Sequence, residues 1–323
     1  MSTLHKHPVP SPVKDRVTVY APATVANLGV GFDIVGMALD SPGDKVTVEA
    51  WDQPGVDLVE IIGDGGKLPT DPEKNTACIA AFETLRALGV ETGVRLWLDK
   101  GLPLASGLGS SAASAAAAAV AVNELFGAPL DRVELLPPCV EAEAAVSGRH
   151  ADNVAPALLG GIVLIISVDP PHVISMPVPD NLHIALVTAN VALPTVEARA
   201  VLPSHVSLRT MVTQTALVAG FVHALHVNDL TLLANVVERD TVVSPARTAL
   251  IPGLEQAQIA ARAAGALAAG ISGAGPTIFA LCDDPLMAER VTVAFEAVYI
   301  ALGIECTTHI ARPYMLGATV LDS

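Results

Sequence analysis

With 323 residues, 51% hydrophobic but only 3% aromatic, the chain can bury a large core and must build it from Ala, Val, Leu and Ile. Its formal charge of −15 excludes partners that need a basic surface, such as nucleic acid or an anionic membrane. The longest apolar runs, near 115–122 and 162–166, fall well short of the roughly 20 residues of a spanning helix, so no membrane span is expected. Cys78, Cys139, Cys282 and Cys306 lack metal-ligand spacing and read as buried thiols of a cytoplasmic protein.

In chain order, residues 1–15 carry His5, Lys6 and His7 among prolines, have no apolar signal region, and read as a flexible N-terminal tail. Alternation predicts strands at 17–20, 45–49 and 56–62, with a glycine-bearing loop at 21–33 between the first two. The spacing of Ile79, Phe82, Leu85 and Leu88 predicts a helix over 75–88, and a strand follows at 94–98. An alanine-rich helix is expected from about 110 to 126, and another from Asp131 to Ser147. A strand at 162–168 leads to a proline-rich stretch, 169–179, that reads as the connection between an N-terminal domain (16–170) and a C-terminal one (171–323). The second half alternates a strand at 182–188, helices at 207–226, 230–238 and 254–268, a strand at 277–281, a helix at 285–302 and a strand at 305–311.

The segment Pro103-Leu104-Ala105-Ser106-Gly107-Leu108-Gly109-Ser110-Ser111-Ala112-Ala113 organises the rest. Its serines stand where N-cap hydroxyls belong, and the alanine run after them favours helix. Such a helix start aims unpaired N–H groups and a positive dipole end into a loop that Gly107 and Gly109 keep bare, which suits phosphate. A P-loop is excluded because no lysine follows Gly109. A dinucleotide fingerprint needs a strand running straight into its first glycine, and residues 99–103 intervene as a spacer.

This segment resembles the phosphate-loop motif Pro-x-x-x-Gly-Leu-Gly-Ser-Ser-Ala of the GHMP small-molecule kinases. Within them, Pro22-Ala23-Thr24-Val25-Ala26-Asn27-Leu28-Gly29-Val30-Gly31-Phe32-Asp33 and His150-Ala151-Asp152-Asn153-Val154-Ala155-Pro156 are similar to motifs of the homoserine kinase branch. Gly270-Ile271-Ser272-Gly273-Ala274-Gly275-Pro276 resembles the third GHMP motif, with Ala274 where many members carry Ser. The resemblance implies an α+β GHMP kinase fold: an N-terminal domain like ribosomal protein S5 domain 2, then a ferredoxin-like α/β sandwich.

It also implies ATP and Mg²⁺ as cofactors, L-homoserine as substrate, and a cytoplasmic enzyme, with a homodimer compatible. By resemblance, 103–113 hold the phosphates, Ser110 or Ser111 with Glu143 hold Mg²⁺, and Thr195 steadies the γ-phosphate. Glu141, two residues from Glu143, faces another side of its helix and stays an alternative ligand. Asn75 borders the nucleotide base or simply caps its helix. Asn27, Asp33, His150, Asn153, Arg199, Arg247 and Gly273 line the amino-acid side. Asp33 suits an ammonium, Arg199 and Arg247 a carboxylate, and Asn27 or Asn153 a hydroxyl. No residue is nominated as base: Asn153 stands where many relatives have an aspartate, and Asp152 is adjacent in sequence, where side chains diverge. The rival readings are a mevalonate- or shikimate-type GHMP kinase and a catalytically silent ligand-binding regulator.

Overall fold

The computed structural model describes residues 10–146 and 148–322. Within the expected tail, 1–9 lie outside the described residues, whereas the Val13 N–H donates to Leu125 O at 2.9 Å and Lys14 pairs with Glu124 at 3.5 Å.

A long antiparallel pair forms the spine: β1 (Arg16–Ala26) and β2 (Val35–Trp51), registered from Arg16↔Glu49 to Ala26↔Gly36. Both outrun their predicted lengths, because from residue 21 onward alternation gives way to Ala, Thr and Val buried on both faces. β3 (Val56–Ile62) crosses through α1 (Thr76–Leu88) to lie parallel to β4 (Gly93–Asp99), which pairs with β2. On this sheet rests α2 (Ser110–Leu125), buried from Ala112 through Asn123. Its alanines, ending at Cβ, let the helix axis approach the sheet and α1 closely. The helix expected over 131–147 is a 3₁₀ turn, Arg132–Leu135, followed by α3 (Leu136–Ala144), since Pro137 and Pro138 suit a first helical turn better than an interior. Ser147, its expected end, is outside the described residues. α4 (Val154–Leu159) leads into β5 (Ile162–Val168), which pairs with β2.

The proline-rich stretch expected to connect the halves is instead a hairpin: Asp169-Pro170 turns the chain, and β6 (Pro171–Met176) pairs with β5 in the same sheet. Its prolines sit at the turn and the strand start, where a missing N–H costs the ladder nothing, so a proline-rich run can carry a strand.

The second sheet is antiparallel, in the order β10-β7-β9-β8, from β7 (His183–Ala189), β8 (Ala268–Ile271), β9 (Thr277–Cys282) and β10 (Cys306–Ala311). Before β8 come α5 (Thr195–Ala200), α6 (Leu208–Val227), α7 (Leu230–Val237), α8 (Val243–Arg247) and α9 (Leu254–Ala263); α10 (Pro285–Leu302) joins β9 to β10. The helix expected to run to 268 stops short of β8, because Gly265, at φ 109°, ends it. α9 and α10 cover one face through Ala257, Ala261, Val291, Phe295 and Tyr299. The other face, with Ile184, Leu186, Phe279 and Leu281, joins the large core of the first half. β11 (Thr319–Asp322) then returns to pair with β1. By length and composition α6 could cross a membrane, yet Leu217, Phe221, Ala224 and Leu225 pack it as a surface helix onto that core. Of the four free cysteines, Cys306 is only half-buried, unlike the other three.

Candidate active site

A cleft of about 390 Å³ opens between the halves, walled by the loops at 27–33, 104–111 and 150–153, the starts of α1 and α5, the end of α3, and residues 273–274. The entrance of α2 points into it. Gly109, at φ 67°, is the helix cap and makes no side-chain hydrogen bond, so Ser110 is the first helical residue rather than the expected cap. Thr24 and Asn153 dictate this: a Cβ on Gly109 would stand 2.0 Å from Thr24 Oγ1 and 2.9 Å from Asn153 Oδ1. Ser110 Oγ is therefore buried without a hydrogen-bond partner among the described residues. The first intrahelical bond runs from Ala113 N–H to Gly109 O at 2.9 Å, which leaves the N–H groups of 110–112 for a ligand.

The glycines serve a second purpose. A Cβ on Gly107 would lie 2.6 Å from Ser272 O and 2.7 Å from Gly275 O. Across that approach Ser272 Oγ donates to Gly107 O at 2.7 Å, and Thr277 Oγ1 to Ser106 O at 2.6 Å. The C-terminal glycine motif thus clamps the phosphate-type loop by its backbone.

Beneath α2, the stretch expected to be a spacer carries a buried ion pair. Lys100 Nζ pairs with the Asp44 carboxylate and donates to Ser110 O at 2.9 Å and Ser114 Oγ at 2.8 Å. Asp44 also accepts from the N–H groups of Gly101 and Leu102, at 3.1 and 3.0 Å. Burial pushes the Lys100 pKa down, opposed by Asp44 and then Glu143. The signal was in the strand alternation. Val94, Leu96 and Leu98 face inward, so Lys100 continues the buried row of β4, just as Asp44 continues that of Val48 and Val46.

Glu143 is 5% exposed and lines the cleft, whereas Glu141 faces outward in a 2.5 Å pair with Arg149. A carboxylate and an unpartnered hydroxyl are hard oxygen donors, a set that fits Mg²⁺.

On the opposite wall Asp33 accepts from Arg199 Nη2 at 2.5 Å, and His150 Nδ1 stands 4.0 Å from its other oxygen. Arg199 and Arg247 both lie over the Phe32 ring, at 5.3 and 5.5 Å. Arg247, 2% exposed, gives Nε to Ala198 O and one Nη1 hydrogen to Gly273 O, at 3.0 and 2.8 Å. Asp240, also missed, binds the N–H groups of 242–244 and Gln214 Nε2, fixing the turn into α8 that carries Arg247.

Thr195 lies at the start of α5 and lines the cleft. Asn27 braces its loop, accepting from Asp33 N–H at 3.0 Å and donating to Gly273 O at 3.1 Å. Asn153 Oδ1 accepts from Thr24 Oγ1 at 2.7 Å, leaving its amide to donate. Asn75 caps α1 through Ala77 N–H at 3.1 Å, and its amide goes to Pro69 O. Leu108, Ala112 and Ala113 are core residues, and Pro103 lies outside the cleft. Asp152, adjacent to Asn153, does line it: burial, then Asp33, pushes its pKa up to about 7, against Arg199.

The GHMP kinases N terminal domain matches residues 75–161, and the GHMP kinases C terminal domain matches 221–301. A homoserine kinase of Chloroherpeton thalassium is 42% identical over 88% of this chain and 92% of its own length, and one of Arabidopsis thaliana is 45% identical over 88% and 80%. The crystal structure of homoserine kinase from Cytophaga hutchinsonii superposes with a TM-score of 0.91 at 42% identity, covering 96% of this chain and 99% of that one. L. major mevalonate kinase, at 18% identity and a TM-score of 0.72, shares the fold. The chain belongs to the GHMP kinases and, within them, to the homoserine kinase family.

Proposed function

We propose that the chain transfers the γ-phosphoryl group of ATP to the side-chain hydroxyl of L-homoserine, giving O-phospho-L-homoserine for threonine biosynthesis. One observation carries this reading: the unpaired amides opening α2 and the Asp33, Arg199 and Arg247 cluster share a single cleft. Phosphoryl transfer needs little more than alignment and charge neutralisation.

The amides of 110–112 receive the β- and γ-phosphates, with the buried Lys100 adding positive potential from below. Ser110 and Glu143, with Ser111, would hold Mg²⁺, which when bound offsets the phosphates' charge. On the substrate side Asp33 and Asp152 meet the ammonium. Arg199 and Arg247 each give a nitrogen to the carboxylate, Arg247 through the guanidinium hydrogens that Ala198 O and Gly273 O leave over. Asn153, with its oxygen held by Thr24, donates its amide to the hydroxyl oxygen and so orients a lone pair for attack. Thr195 steadies the moving group, and His150 closes the wall beside Asp33. The hydroxyl proton leaves late, to phosphoryl oxygen or water, and no role above requires a side-chain base.

The reading includes a cytoplasmic enzyme, and sedimentation would read whether it acts as a homodimer. Retention of Ser110, Ser111 and Glu143 favours a kinase over a silent regulator. A coupled ADP-release assay tests the substrate: release is expected with L-homoserine, and release with mevalonate or shikimate in its place refutes the reading.

A further inference from the structure

Behind the amino-acid end of the cleft, α6 and α7 pack on each other and carry the loop at 27–33. Gly29 lies against α7 so closely that a Cβ there would stand 2.1 Å from Val237 O. From α6, Gln214 Nε2 donates to Val30 O at 3.2 Å and to Asp240 Oδ1 at 3.1 Å. A carbonyl and a carboxylate are acceptors only, so their chemistry fixes which way the amide points and uses both of its hydrogens. That orientation leaves Gln214 Oε1 buried without a hydrogen-bond partner among the described residues. An unpaired buried acceptor is costly, and the fold keeps it so as to hold both bonds on the other side of the amide.

The two acceptors belong to the two ends of the amino-acid site. Val30 is in the loop that carries Asp33, the group for the ammonium. Asp240 binds the N–H groups of 242–244 and so fixes the turn into α8, which carries Arg247, a group for the carboxylate. On the cleft side the same two parts meet at Gly273 O, which takes Asn27 Nδ2 at 3.1 Å and Arg247 Nη1 at 2.8 Å. Gln214 is a second tie from behind, and neither it nor Asp240 lines the cleft. One tie would leave the loop and the turn free to pivot about Gly273; two set their separation.

We propose that Gln214 is a positioning residue that sets the distance between the ammonium and carboxylate anchors, and thereby selects ligands carrying both groups on one carbon. The roles of Asp33 and Arg247 in this rest on the kinase reading above.

L-2-Aminobutyrate carries both charged groups and no hydroxyl; butyrate lacks its ammonium and propylamine its carboxylate. Their dissociation constants, read by ligand-observed NMR on the full chain, are compared between the parent and Gln214→Met, which keeps the side chain's length and loses both donors. A ligand held at two points feels the spacing of its anchors, and one held at a single point does not. Gln214→Met is expected to weaken L-2-aminobutyrate at least about fivefold, and butyrate and propylamine less than about twofold. The KM for L-homoserine should rise in step, with kcat within about threefold and the KM for ATP within about twofold. Gln214→Lys, whose ammonium reaches both acceptors, should restore the parent's preference. Gln214→Asn, a methylene too short to bridge them, should behave as Gln214→Met does, and serves in its place if that variant does not fold. Equal weakening of all three ligands, unchanged L-2-aminobutyrate affinity, or a parent that prefers L-2-aminobutyrate to neither fragment overturns this role. A parent that binds L-2-aminobutyrate with that preference yet does not phosphorylate L-homoserine refutes the kinase reading and leaves the bridge standing.

Discussion

Replacing Lys100 by Met keeps the stem of the side chain and removes its ammonium, which isolates a carboxylate in the interior. The side chains of Lys100 and Asp44 are 1% and 0% exposed. In the variant Asp44 keeps the N–H groups of Gly101 and Leu102 and the Ser114 hydroxyl, but loses its counter-charge. Breaking one side of a buried pair costs about 3–5 kcal/mol, and the three remaining hydrogen bonds place this case near the lower end, ~3 kcal/mol. Against a total stability of about 5–15 kcal/mol that is a large loss, visible in urea unfolding. Asp44→Asn removes the stranded charge, so in that background the same Lys100→Met change should cost only about 1 kcal/mol. The double-mutant cycle would then give a coupling of ~2 kcal/mol. Because Lys100 also holds Ser110 O, the first carbonyl of α2, the KM for ATP should rise while that for L-homoserine stays within about twofold. A single-variant loss below ~1 kcal/mol, or strict additivity in the cycle, would refute the view that this pair fixes the helix entrance.

Three further outcomes follow from the site. Ser110→Ala and Glu143→Ala should each lower kcat by at least about 100-fold, with L-homoserine affinity by calorimetry nearly unchanged, because both side chains face the phosphate end. Arg247→Leu should raise the KM for L-homoserine more than tenfold, about 1.4 kcal/mol or more, with ATP binding retained in equilibrium dialysis. Asp152 has a folded pKa of about 7, above its unfolded value near 4, so its neutral form is favoured by folding. Its stabilising contribution is complete below about pH 4 and is lost as pH rises through about 7. Denaturation across that window should therefore show Asp152→Asn gaining on the parent by up to ~4 kcal/mol, about three pKa units at ~1.4 each. A pH-independent difference would place Asp152 in a solvated setting.

Motif order and residue type carried much of the site, because a helix entrance with bare amides has a short, local signature. Gly107, Gly109, Ser110 and Ser111 sit within five residues, and Glu143, Thr195 and the 150–153 turn join them in the cleft. What escaped notice was non-local. Lys100 needs Asp44, 56 positions away, and Asp240 acts on an arginine seven residues on through the backbone between them. From the sequence, Asp152 is expected to diverge from its neighbour Asn153. At the entrance of α4, however, the cleft wraps around the turn, and both Asp152 and Asn153 line it. In the fold, β8 and β11 were missed because four residues are too few for a periodicity to register.

Gly109 and Gly107 show how a motif can be recognised for a role that its residues fill only in part. Bare backbone lets phosphate approach, but a Cβ at either glycine would also strike the protein: Thr24 and Asn153 at one, Ser272 and Gly275 at the other. Thr24 comes from β1, Asn153 from the α4 entrance, and 272–275 from the far half of the sequence. An alanine at Gly109 would therefore push the helix entrance off the Thr24–Asn153 pair and disturb the phosphate and hydroxyl ends of the cleft together. The expected signature is a joint rise in KM for ATP and for L-homoserine, whereas a glycine needed only for phosphate contact would raise the first alone. The phosphate end and the amino-acid end are thus one mechanical unit, held at a residue that touches neither substrate through a side chain.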